Sequence, residues 1–419
     1  MTVIGLDDTD SRDRGMCTTY AAVRVARAVR DRGGSVGTLR LVRLNPAVEH
    51  KTRGNAALGI QTTLSPEAAT EIAAGVIEEL AETADPRTEP GLVVAAGDIP
   101  EEVVRFSRRA VTTILDRQGA RELLERAGFR HRGWRGGRGI IGALAAVGAP
   151  EAFHDWTYEY IAYRQPERWG TPRDVDEASV FAAADATYPA AWDTVDRREG
   201  EAVCVPNAPG PILFGIRGDD PAATARVAAG IDSEPIHDRA LFVTNQGTDA
   251  HLQDAPLAAV SESSAFRVTG TVASAPETRE GGHVFLTLRD GETALRCAAF
   301  EPTKRFRDRV RALREGDVIT AAGEVTDGTL KLEKFAVREL VQEEAVTPTC
   351  PDCGRTMESA GADQGYRCRR CETTAAGKDT RELDRTLERG WYEVPPCARR
   401  HIAKPLVRGG FDAPVHPER

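Results

Sequence analysis

Lysine is almost missing from this chain: of 55 basic residues among 419, only six are lysine, at positions 51, 304, 331, 334, 378 and 404. Arginine carries nearly all the positive charge, and its planar fork matches phosphate and stacks on bases. A GC-rich or salt-loving source would leave the same bias. A basic balance is missing too. The formal charge is −9 and the pI ≈ 5.6, which excludes a uniformly basic nucleic-acid binder and leaves local patches to matter. No run of eighteen apolar residues exists, so no membrane span is expected. The N-terminus opens directly on strand-like sequence rather than a cleavable leader. A secreted disulfide set is also lacking: four of the eight cysteines form one tight pattern, and Cys17, Cys204, Cys297 and Cys397 are scattered. The expectation is a soluble, cytoplasmic protein of several domains.

What is present begins at the N-terminus. Val3, Ile4 and Leu6 read as a short buried strand, with Asp7, Asp8 and Asp10 crowded at its C-terminal end. A helix opens near Cys17 and runs to Gly33-Gly34. Clustered carboxylates suit magnesium, which takes oxygen ligands and keeps several waters. Thr18 and Thr19 stand at the helix start, where free amides and the helix dipole favour phosphate. An Asp-rich loop with a threonine cap fits these residues equally. A second polar and basic cluster, Lys51-Thr52-Arg53-Gly54-Asn55, follows the next strand and favours the nucleotide-phosphate reading.

Four further regions follow the α/β pattern of residues 1–130. Residues 131–258 form a second α/β region that opens on a glycine–arginine run containing Arg135 and Arg138, suited to phosphate or RNA backbone, or to a surface loop. Residues 264–342 carry five alternating strands with one short helix between the third and fourth, the order of an OB-fold barrel. Phe285, Phe300 and Phe306 are candidate stacking platforms, each weighed against a place in the barrel core. Residues 346–380 hold Cys350, Cys353, Cys368 and Cys371 as CxxC-x14-CxxC, a closed four-thiolate zinc site. Arg367, Arg369 and Arg370 make that ribbon a candidate RNA contact. The tail, 386–419, is too apolar to be a solvated terminus and is expected to dock on the body.

I-G-L-D-D-T-D-S, G-M-C-T-T-Y, R-L-N-P and K-T-R-G-N, in that order, resemble the N-terminal kinase-like domain of the archaeal tRNA 2-agmatinylcytidine synthetases. Gly-Ile-Arg-Gly at 215–218, Thr-Asn-Gln-Gly-Thr-Asp at 244–249 and the zinc ribbon continue the likeness over essentially the whole chain. Gly210 departs from the family's pattern. The resemblance implies a multidomain α+β protein: a kinase-like α/β domain, a ferredoxin-like domain, an OB-fold and a zinc ribbon. It implies ATP, magnesium and structural zinc, with agmatine and an isoleucine tRNA of CAU anticodon as substrates and no obligate protein partner. ATP would become AMP and two phosphates, one passing to Thr18. Asp7, Asp8 and Asp10 would hold magnesium or deprotonate the threonine. Lys51 and Arg53 would offset phosphoryl charge, with Cys17 and Asn55 as backbone or adenosine contacts. Agmatine needs carboxylates; Asp193, Asp196 and Asp249 are candidates, with Gly215 and Arg217 as further agmatine contacts. Two other classes fit parts of the pattern: an OB-fold and zinc-ribbon nucleic-acid-binding protein, and a metal-dependent nuclease.

Overall fold

The computed structural model describes every residue except Arg53. Its largest sheet has nine strands: β1 (Thr2–Asp7), β2 (Val36–Arg43), β3 (Ala56–Thr62), β4 (Gly91–Ala96), β5 (Arg130–Gly133), β6 (Thr157–Arg164), β7 (Ala191–Trp192), β8 (Ile212–Gly218) and β9 (Ile236–Thr244). Their order is β5-β4-β1-β3-β2-β9-β6-β8-β7. Every pairing is antiparallel except the seam between β2 and β9, where Arg40 faces Val243 and Leu41 faces Thr244. One continuous sheet thus joins the two α/β regions.

The first five strands are covered by α1 (Thr18–Asp31) and α2 (Pro66–Leu80), and by α3 (Glu101–Thr112), α4 (Arg117–Ala127) and α5 (Ile140–Ala152). Ser65 caps α2 by accepting from the Ala68 amide, ahead of proline at the first helical position. α5 is apolar on nearly every side because it is enclosed, packing on β1, β3 and β4 with α3 behind it. The approach is too close for side chains. A Cβ on Gly5 would sit 2.0 Å from the Ala143 carbonyl oxygen, and one on Gly142 would sit 2.0 Å from the Asp7 carboxylate. The glycine–arginine run is therefore not one free loop. Its start is edge strand β5, and its end sets the N-terminus of α5 against β1 and β4. Residues 131–152 pack on the first region's strands.

Beyond β6, α6 (Glu177–Thr187) and α7 (Pro221–Gly230) accompany β7, β8 and β9. The barrel follows: strands Ser264–Val272, Val284–Asp290, Thr293–Ala299, Val318–Thr326 and Thr329–Glu339 close into a ring, the third pairing in parallel with the fifth and the fourth returning to the first. This is the OB-fold, with Phe306 and Phe335 in its core. The expected helix over 302–313 is shorter, Phe306–Arg311, preceded by a turn at Glu301–Thr303, because Pro302 and the left-handed Lys304 break its start.

Tail strand Gly390–Glu393 adds to the barrel's last strand, and Val415–His416 pairs with it in turn. Salt bridges then carry the tail across to the second region. Arg399 meets Asp193 and Glu393, while Arg408 reaches Asp155 and Asp219 at 3.0 and 2.7 Å. No helix is long and apolar enough to cross a membrane among the described residues.

Candidate functional site

The first region's strand end, two helix starts and the edge of β6 face one cleft of about 440 Å³. Asp7, Asp8, Asp10, Cys17, Thr18, Thr19, Lys51 and Asn55 all line it, together with Arg43, Arg138 and Glu159. Arg53 lies outside the described residues. Cys17 occupies the cap position of α1 without capping it, so the first amides of that helix remain open to an anion. Gly139 and Gly142 bring the N-terminal turn of α5 to the same space.

The aspartates are held by local geometry. Asp8 adopts a left-handed backbone conformation, φ 59°, which aspartate tolerates. Its amide donates to the Asp7 carboxylate at 2.7 Å. Thr52 donates to Asp10 at 2.8 Å, tying the Lys51 loop to the aspartate loop. Arg138 donates to Asp8 at 2.9 Å, so this arginine turns into the cleft rather than out from the surface. Loss of solvation raises Asp8 to about 6 against the opposing pull of Arg138, and it raises Asp7 well above the carboxylate range, with the Asp8 charge adding. Crowded carboxylates in this state suit a hard divalent cation. Thr18 is buried, and its hydroxyl accepts from Thr9 Oγ1 at 3.1 Å, which aims it at the aspartates' end.

Leu41, Leu58, Ile161, Ile212 and Glu159 also line the cleft. Arg43 lies 3.3 Å and Arg217 3.5 Å from that buried carboxylate. Glu159 and Arg43 were missed in the sequence, although a carboxylate within the T-Y-E-Y-I-A-Y-R strand is a visible signal. Gly215, opposite Ile161 on β8, lets the Glu159 carboxylate approach: a Cβ there would be 3.1 Å from it.

The other acids proposed for agmatine are not brought to this cleft. Asp193 is paired with Arg399. Asp196 is buried, 3.0 Å from Arg305. Asp249 accepts from Lys334 at 2.8 and 2.7 Å. All three lie where the tail or barrel meets the second region. Arg135 is exposed and donates to the Thr83 carbonyl.

Phe285 stands at the barrel surface, half-buried, with the Arg279 and Arg296 guanidinium carbons 4.7 and 4.4 Å from its ring centre and Phe300 edge-on at 6.1 Å. Arg367, Arg369 and Arg370 are exposed on the ribbon. The thiols of Cys350, Cys353, Cys368 and Cys371 lie within 4.8 Å of one another. Four thiolates about 2.3 Å from a tetrahedral zinc would stand about 3.8 Å apart, so the set fits that ion.

Fold and site together define a nucleotide-phosphate enzyme joined to RNA-binding modules. Matches to family models resolve this: the TiaS TCKD domain at residues 3–135, the TiaS FLD domain at 137–251, an OB-fold nucleic acid binding domain at 266–333 and the TiaS C-terminal zinc ribbon domain at 347–387. The isoleucine-tRNA 2-agmatinylcytidine synthetase TiaS of Haloquadratum walsbyi is 53% identical, with the whole of each chain covered. A crystal structure of TiaS in complex with its isoleucine tRNA and ATP superposes with a TM-score of 0.92 at 40% identity, covering 100% of this chain and 99% of that one. A complex of TiaS with the same tRNA, AMPCPP and agmatine gives 0.88 at 38%, with the same coverage. The chain belongs to the TiaS family.

Proposed function

We propose that this chain is an ATP-dependent tRNA agmatinylcytidine synthetase, joining agmatine to the 2-position of the wobble cytidine of isoleucine tRNA with a CAU anticodon. The observation that carries the reading is one cleft shared by the aspartates, Thr18, Lys51 and Arg138 with a buried carboxylate, Glu159, that is flanked by Arg43 and Arg217. Cytosine's 2-oxo group leaves only when activated. Phosphorylation of that oxygen turns it into a phosphate leaving group; agmatine's amine then forms the C–N bond as the C–O bond breaks.

The phosphate end uses this chain's own groups. Asp7, Asp8 and Asp10 would hold magnesium, which would offset triphosphate charge. Lys51 and the two helix N-termini neutralise the transferring phosphoryl group. The Thr18 hydroxyl accepts a phosphate from ATP, its proton passing to an aspartate that is not then a metal ligand. Glu159 and the surrounding aliphatic side chains suit agmatine's cationic ends and four-carbon stem. Because Asp193, Asp196 and Asp249 lie away from the cleft, where they hold cations of the tail and barrel, they serve as joints between domains in this reading.

The order β9-β6-β8-β7, with helices after β6 and β8, supports a ferredoxin-like second region. The triphosphate site supports a kinase-like role for the first. The barrel and ribbon grip RNA, and zinc at the four cysteines is structural.

Labelled ATP, transcript tRNA and agmatine should yield AMP, two phosphates and a tRNA heavier by agmatine less water. Asp8→Asn should abolish AMP formation while tRNA binding persists. Cleaved tRNA without ATP would favour a nuclease, and binding without turnover a nucleic-acid-binding protein.

A further inference from the structure

Two of the six lysines, 280 residues apart in sequence, stand on segments that dock together: Asn45, on the loop that carries Lys51, donates to the Ser263 carbonyl at 2.9 Å, and the Ser263 amide donates to the carbonyl of Val325, next to the Glu324 that faces Lys331. Lys51 is on the loop after β2, and Lys331 is on the barrel's last strand. Arg12 is fixed beside them, its guanidinium donating to the Thr52 carbonyl at 2.8 Å and to that of Lys51 at 3.4 Å. Arg400 of the tail completes the group. Its fork holds Glu324 and Glu333, and Glu324 stands directly opposite Lys331 in the strand pairing. The first region, the barrel and the tail thus each contribute cations to one place. Both carboxylates are buried and gripped by Arg400, and no ion pair forms at Arg12, Lys51 or Lys331 among the described residues. The Lys51 ammonium is lowered by loss of solvation, and Arg400, Lys331 and Arg12 add to that while Glu324 opposes it. In a chain of net charge −9, like charges from three parts of the fold converge with too little compensation.

We propose that Arg12 and Lys331, on either side of Lys51, form a cradle at the cleft mouth for backbone phosphates of the RNA beside the nucleotide that enters. The proposal rests on the tRNA-modifying reading above. It adds a positioning role: the barrel and tail take part in aligning the target nucleotide as well as in holding distant RNA. A phosphodiester fits better than ATP's phosphates because the mouth is open to solvent. Exposed Arg12 and half-buried Lys331 also suit a strand running from the barrel into the cleft.

Lys331 is the discriminating residue, since nothing assigns it to the nucleotide site. In the full-length protein, Lys331→Gln should raise the tRNA KM about three- to tenfold, leaving ATP KM and kcat within about twofold. The slope of log affinity against log salt should become shallower by about 0.7 to 0.9, one contact's worth. Lys331→Arg should restore both. Equilibrium binding of the same transcript reads the cradle without turnover, so a failure of the activity assay sinks the functional reading alone. Unchanged tRNA affinity and salt slope in Lys331→Gln would overturn the cradle. A raised ATP KM with unmoved tRNA KM would give it to ATP instead. Matching melting temperatures for wild type and both variants exclude a merely structural effect.

Discussion

Thr18 bears the sharpest test among single residues. Thr18→Val keeps the volume beside Thr9 and removes the hydroxyl, so product formation should fall by orders of magnitude while tRNA affinity stays unchanged. Mass spectrometry after ATP treatment should place a phosphate on the wild-type peptide containing Thr18; an unmodified peptide with an active valine variant would reduce this threonine to a helix-start residue. Arg399 tests the joints. Its guanidinium is 4% exposed, between Asp193 at 3% and Glu393 at 2%, and burial pushes Glu393 up to about 7. Arg399→Met would leave two buried carboxylates facing each other, and denaturant titration should read a loss of about 3 kcal/mol or more. Aspartates, threonines and Lys51 were legible in sequence because they are local: each group lies within a few residues of a strand end or helix start. Glu159 was not, because it joins them only through the β2–β9 seam, far along the chain from the strand ends and helix start that carry the other groups. Asp193, Asp196 and Asp249 looked like ligand acids because their arginine and lysine partners lie far away in sequence.

At the scale of elements, the tail is held beside the cleft by a histidine pair. His251 is buried and His401 half-buried, their ring centres 5.2 Å apart, and the Gly247 amide donates to the His401 carbonyl at 3.3 Å. Burial holds His251 down at about 4, with Arg43 adding, and holds His401 well below the ordinary range, with His251, Arg43, Arg400 and Lys51 adding. Folded-state values below the unfolded one mean that the unfolded chain binds protons first. Stability is therefore complete above about 6.5 and lost as pH falls from there toward 4, by about 1.4 kcal/mol per pH unit for each histidine. Because Asp7, Asp8 and Glu393, raised by burial, act in the opposite direction, the test is a difference: between pH 7 and 5 the melting temperature of a His251→Phe, His401→Leu variant should fall less, or rise more, than that of the wild type. The barrel's strands were readable from two-residue alternation and Asp-Gly turns. β5 was hidden in a glycine–arginine run, where the edge of a sheet needs no apolar alternation because both sides of the strand are exposed.

For the whole molecule, the ribbon is the part whose hold on RNA should be separable from the chemistry. The ribbon joins the rest through the short pair Glu343–Val346 and Asp379–Glu382, and its core is chiefly the four cysteines with Met357, Tyr366 and Ala375. Its folding energy must come largely from zinc. A chelator, or Cys368→Ser, should weaken tRNA binding and make the remaining affinity less steep in salt, while ATP affinity holds. Equal loss of ATP affinity would mean the ribbon supports the cleft itself.

The unbroken sheet also acts as a ruler. From β1, which ends in Asp7, to β6, which carries Glu159, the order is β1-β3-β2-β9-β6, four lateral steps. At roughly 4.8 Å each, the strands that carry the two ends lie about 19 Å apart across the sheet. Neither a hinge nor a loop sets that span; backbone hydrogen bonds do. A single inhibitor bridging both ends would need a linker cut to this length, and one strand's width of error would leave one end empty.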